Sequence, residues 1–121
     1  MFAPRRRQKG EVNVSKYLLI QSKSPWESGD VAHFYALARE LGHAGGEVTL
    51  FLVQNGVMPA RAGAKDAALD QLLGSQVRVL ADDFSLRERA IGPGAMKRGI
   101  RTSSIDEIVD LLSVGAKALW H

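Results

Sequence analysis

The sequence predicts an α/β fold, a five-stranded parallel sheet sandwiched between layers of helix. Three observations carry the prediction. Short apolar runs alternate with segments whose apolar residues recur at helical spacing, in the order β-α-β-α-β-α-β-α-β. The strongest strand candidate, Val48-Thr49-Leu50-Phe51-Leu52-Val53, is apolar on both faces, as a strand covered on both sides should be. The chain has 121 residues, 45% of them hydrophobic and 24% charged, which suits one packed domain and is too short for two.

Residues 1–15 carry charge, one Pro, one Gly and no apolar period, so they are read as a disordered basic arm preceding a single domain over 16–121. The first strand is Tyr17-Leu18-Leu19-Ile20, running into the polar loop Gln21-Ser22-Lys23-Ser24. Ser24-Pro25-Trp26-Glu27 fits a capping box with Pro at the first helical position, and Ser28 and Asp30 are rival caps. Val31, Phe34, Leu37, Ala38 and Leu41 then mark a helix face, with Gly42 as the stop. After the second strand, Gln54-Asn55-Gly56 is a turn and 57–63 a loop. Lys65 to Leu73 is a helix with Ala68, Leu69, Leu72 and Leu73 inward and Gly74 as stop.

Val77-Arg78-Val79-Leu80 is the third strand. Asp82 or Asp83 caps a short helix containing Phe84, Leu86 and Ala90, which Gly92-Pro93-Gly94 breaks. Ile100-Arg101-Thr102 is a brief fourth strand. Ser104-Ile105-Asp106-Glu107 is a capping box, and Ile105, Ile108, Val109 and Leu112 follow at core-facing spacing. Gly115 ends that helix, and Ala116 to Trp120 is the fifth strand.

A net charge of +3 invites a nucleic-acid reading, but the charge is local. Residues 1–16 hold five basic groups against one acidic, and 17–121 hold eleven against twelve. An arginine triplet, Arg5 to Arg7, can meet phosphate, yet a solvated terminus explains it as well. No reading helix or aromatic stripe accompanies it, so nucleic acid is not expected as a partner. Cysteine is absent, which rules out disulfides, thiol catalysis and cysteine-held metals. No apolar run approaches the ~20 residues that span a bilayer, and the first residues lack a secretory core. The expectation is a cytoplasmic protein without a membrane partner. No phosphate loop, dinucleotide fingerprint or metal spacing of His33, His43 and His121 occurs, so no cofactor and no metal is expected.

In open parallel sheets, ligands bind beyond the carboxyl ends of the strands. The loops leaving those ends nominate Ser24, Trp26, Gln54, Asn55, Asp82, Asp83, Arg87 and Arg89 as ligand-binding candidates. Adjacent carboxylates such as Asp82 and Asp83 suit acid–base work, although capping alone accounts for one of them. Arg78, Arg87, Arg89, Lys97, Arg98 and Arg101 against three acids make 78–101 locally basic, an anion site, a subunit contact or simply a solvated face. No catalytic residue is assigned.

Three stretches resemble the DsrE/DsrF-like sulfur-relay family, which includes TusD-type and YchN-type proteins. They are Ser24-Pro25 with Ala36-Leu37-Ala38 and Gly42; Glu47 through Val57, near the family's E-V-x-x-F-L-x-x-[DN]-G-V; and Val77 to Leu80 followed by Ser85-Leu86-Arg87-Glu88-Arg89-Ala90-Ile91, near its S-L-R-A-R-G-I. The family's late S-x-x-x-L-x-x-L helix is echoed by Ser104 to Leu112, so the match covers about residues 17–120. The resemblance implies a three-layer domain, trimers or hexamers, or hetero-oligomers with a family homologue, and sites near subunit contacts. It also implies a persulfide cysteine just after the third strand. Here that slot is Ala81-Asp82-Asp83-Phe84. The expected function is therefore a non-catalytic structural or regulatory subunit, or a binder of a small anionic ligand. The alternative is a small enzyme using Asp82 or Asp83 with Arg87 or Arg89.

Overall fold

Every apolar run read as a strand pairs in parallel with its neighbours in the computed structural model, which describes residues 14–121. The elements are β1 (Lys16–Gln21), α1 (Val31–His43), β2 (Glu47–Leu52), α2 (Ala67–Leu73), β3 (Arg78–Asp82), α3 (Asp83–Glu88), β4 (Ile100–Ser103), α4 (Asp106–Ser113) and β5 (Lys117–Trp120). The sheet order is β4-β3-β2-β1-β5. Apart from Val14 and Ser15, the predicted arm lies outside the described residues.

Register shows how alternation divides the strands between two faces. One row crosses all five strands as Leu119, Leu19, Leu50, Val79 and Ile100. The next row is Trp120, Ile20, Phe51, Leu80 and Arg101 and points the other way. Three successive crossovers step toward β4, and right-handedness puts α1, α2 and α3 on one face. There Val31, Tyr35, Ala38, Leu69, Leu72 and Leu86 close the main core over Leu19, Leu50, Leu52 and Val79. The last crossover runs back from β4 to the far edge at β5, so α4 falls on the opposite face, alone. Its Ile108 and Leu111 cover Leu18, Ile20, Phe51 and Leu80. Arg78 pins α4 there through a 2.6 Å ion pair from Nη2 to Glu107 Oε1.

Several elements differ from expectation for local reasons. Ser24–Glu27 does not open α1. The Ser24 N–H donates to Glu27 Oε1 (2.7 Å), which closes a turn, and the helix begins only at Val31, past Gly29. Glycine inside a helix costs about 1 kcal/mol, and Val31 is the first residue of the stretch to reach the core. Leu37 is exposed, and Tyr35 takes its place inside. Gly42 lies buried within α1 instead of ending it; the left-handed turn comes at Gly45 (φ +95°). Residues 54–60 form a 3-10 helix where a turn and loop were expected.

The largest difference is α4. Its apolar residues keep helical spacing, but none is fully buried. Ile105, Val109 and Leu112 are 64%, 59% and 49% exposed. The capping box is split as well: Ser104 Oγ accepts from the Asp106 N–H (3.2 Å), while Glu107 is drawn away to Arg78.

Asp66 caps α2, its Oδ1 accepting from the Leu69 N–H (3.3 Å). Its other oxygen is buried without a hydrogen-bond partner, as is the Tyr35 hydroxyl. Burial, and then the Asp66 carboxylate, raise the Tyr35 phenol far above its ordinary pKa, so it stays protonated.

Candidate functional site

The carboxyl ends of β1, β2, β3 and β5 open onto a cleft of about 680 Å³. Its position follows from the topology, because these loops all leave one end of a parallel sheet. Its polar wall comes from the loops after β1 and β2 and from α3.

After β2 the chain must turn sharply back over the end of β1. Gln54 takes a left-handed conformation (φ +52°) that non-glycine residues rarely adopt. Its N–H donates to Ser85 Oγ at 2.8 Å. Ser85 in turn donates its hydroxyl (2.7 Å) and its N–H (3.0 Å) to Asp82 Oδ2. One carboxylate thus caps α3 and, through a buried serine, holds the strained turn.

The second connection runs through Arg89. Its Nε and Nη2 donate to Asn55 Oδ1 at 3.2 and 2.9 Å, and its Nη1 donates to the Ser85 carbonyl at 3.2 Å. Asn55 Nδ2 donates to Glu27 Oε2 at 3.4 Å. The other Glu27 oxygen is held by the Ser24 N–H. Three loops are therefore tied together by one chain of polar contacts.

The other wall is apolar. Phe84 of α3, Ile105 and Ile108 at α4, and Trp120 of β5 line it. Phe84 and Trp120 are 60% and 66% exposed. Trp120 shares its sheet row with Ile20, Phe51 and Leu80, which α4 covers, but on the edge strand β5 it stays exposed.

Among the nominated residues, Gln54, Asn55, Asp82 and Arg89 line the cleft together. Ser24 sits behind it, buried, and orients Glu27. Trp26 is outside, its ring beneath the Arg61 guanidinium at 5.8 Å. Asp83 and Arg87 are also outside, paired with each other at 3.7 Å. Asp82 and Asp83 therefore do not form a carboxylate pair. Replacing Asp82 with Ala should cost about 1–2 kcal/mol, since it removes a cap and strands a buried hydroxyl. Asp83→Ala should stay within about 0.5 kcal/mol, as exposed i,i+4 pairs contribute little. Urea denaturation midpoints of the two variants measure the difference; equal midpoints would contradict the capping role.

Sequence reasoning missed Lys23, Glu27, Ser85, Glu88 and the whole apolar wall. Trp120 was within reach of it, because the carboxyl-end rule applies to the fifth strand as to the others. The basic stretch 78–101 is half neutralised: Arg78 pairs with Glu107, Arg87 with Asp83 and Lys97 with Asp70. Among the described residues no cluster of metal-binding side chains occurs, and no helix is long and apolar enough to cross a membrane.

No protein-family model and no curated protein sequence matches the chain. Solved structures do. MTH1491 from Methanobacterium thermoautotrophicum, described as a protein of unknown function, superposes with a TM-score of 0.75 at 17% identity, over 90% of this chain and 100% of that one. The ychN protein from E. coli superposes with a TM-score of 0.73 at 20% identity, over 88% and 99%. At such identities the likeness is one of fold, and this chain shares the five-stranded parallel α/β fold of both proteins over nearly all of its length.

Proposed function

We propose that this chain is a DsrE-like protein that carries no sulfur and works as a structural or regulatory subunit with a small-ligand cleft. The observation that carries this reading is the segment at the end of β3. Where the resembled family places a persulfide thiol, this chain has Ala81-Asp82-Asp83-Phe84, with Asp82 engaged in capping α3, and the sequence contains no cysteine. A carboxylate cannot hold a persulfide. The likeness in fold to the ychN protein supports the reading, as does the order of the sequence motifs.

Assembly with a second copy, or with a family homologue, is supported by α4. A helix with an apolar stripe and no fully buried residue leaves that stripe for a partner. Val114 and Trp120 extend the exposed surface beyond the helix. Light scattering on the purified protein tests this: the expected mass is three or six times 13.2 kDa. A stable monomer at micromolar concentration would overturn self-assembly.

The enzyme reading needs an uncommitted aspartate facing an arginine. Asp82 is engaged with Ser85, and Asp83 with Arg87 outside the cleft. No contact among the described residues favours it.

A further inference from the structure

We propose that the cleft takes a small planar monocarboxylate, an aromatic ring with a single negative end. This rests on the reading of the cleft as a ligand site and narrows its ligand. The negative end is assigned by Arg89. Its three hydrogen bonds go to two neutral oxygens, two bonds to Asn55 Oδ1 and one to the Ser85 carbonyl, so the guanidinium is fixed in orientation. Among the described residues no carboxylate pairs with it. Each terminal nitrogen keeps one N–H, and a carboxylate is the anion whose geometry suits such a group. Lys23, on the loop after β1, adds a second cation to the lining.

The charge limit comes from the rest of the wall. Glu27, Asp82 and Glu88 line the same cleft. Three carboxylates against two cations oppose a phosphate or polyanion, whereas one carboxylate can be matched locally by Arg89. Glu27 and Asp82 are already engaged, by Ser24 and Asn55 and by Ser85.

The ring is assigned by the apolar wall. Phe84 and Trp120 come from different elements and are both largely exposed, flanked by Ile105 and Ile108. Flat faces of this kind suit stacking with a planar ligand. The volume, about 680 Å³, lies within the range of small-molecule sites, roughly 300–1,000 Å³. The strained Gln54 turn, locked by Ser85, keeps the polar rim in place before a ligand arrives.

The two tryptophans provide the test, since Trp120 lines the cleft and Trp26 does not. The full chain, labelled with nitrogen-15, is titrated separately with trans-cinnamate, with its neutral amide and with inorganic phosphate. The carboxylate should shift the Trp120 indole N–H signal saturably and leave Trp26 still. The amide should bind roughly tenfold or more weakly, having lost a charged hydrogen bond, and phosphate should leave Trp120 unmoved. Arg89→Lys keeps the charge and loses the fork, so it should weaken the acid roughly tenfold and narrow the gap between acid and amide. No shift with millimolar carboxylate, equal affinity for acid and amide, or a matching response to phosphate would overturn the proposal. A Trp120 signal that moves only with protein concentration would show a second copy filling the cleft; it would end this inference while supporting assembly. A monomer that binds the acid selectively would do the reverse.

Discussion

Gly56→Ala is expected to destabilise the protein by about 3 kcal/mol, lowering its melting temperature by roughly 10–15 °C. A Cβ at Gly56 would overlap the carbonyl oxygen of Gln21 and crowd its carbonyl carbon, both backbone atoms that cannot swing aside. The approach is close because the Gly56 N–H donates to the carbonyls of Ser22 (3.1 Å) and Val53 (2.8 Å), holding the turn after β2 onto the end of β1. Relieving the overlap would lift that turn and carry Asn55 away from Arg89, so the variant should also lose the cleft. Gly63→Ala is the control: a Cβ there meets nothing within 4 Å. Calorimetry on the two variants decides the matter. A Gly56→Ala melting point within a degree or two of the parent would mean that the turn is not held against β1.

The double variant Val109→Lys, Leu112→Lys should convert the proposed assembly to monomer without harming the fold. Both side chains are about half exposed or more, so the lone subunit should keep its stability within about 0.5 kcal/mol per site. In an interface, each ammonium would be stripped of water with no partner on an apolar surface. Unpaired buried charges of this kind cost several kcal/mol, enough to dissociate a micromolar complex. Light scattering and a thermal melt on the same sample give the two readouts. An intact assembly would place the interface elsewhere, and a collapsed melting temperature would show that α4 packs more deeply than its exposure indicates.

The apolar wall of the cleft and the outer face of α4 meet at Ile105, and of the two only Trp120 was within reach of the sequence. The spacing of Ile105, Ile108, Val109 and Leu112 correctly marks one apolar helix side. Periodicity cannot say whether this chain has anything to lay against that side. Ile108 and Leu111 meet the sheet, while Ile105, Val109 and Leu112 point past it. The capping boxes show the same limit. Each has the right residues at the right spacing, but Glu27 is shared with Asn55 and Glu107 is taken by Arg78, partners distant in sequence. Asp82, by contrast, was readable as a cap, because its partner Ser85 is three residues away.

Element order, strand direction and the end of the sheet at which a site would form follow from the sequence by itself. They rest on alternation of period and on the handedness of crossovers, which are properties of short segments and their succession. The absence of cysteine, and with it of any persulfide on this chain, is equally a property of the sequence. Only the tertiary structure decided which nominated residues meet. It joined Arg89 to Asn55, left Asp83 and Arg87 paired outside the cleft, and brought Phe84 and Trp120 to one cleft. The reason is that α4 crosses back alone to the second face. The eight-residue helix leaves Trp120 exposed on the edge strand, where it joins Phe84 of α3 and Ile105 and Ile108 at α4 in the apolar wall.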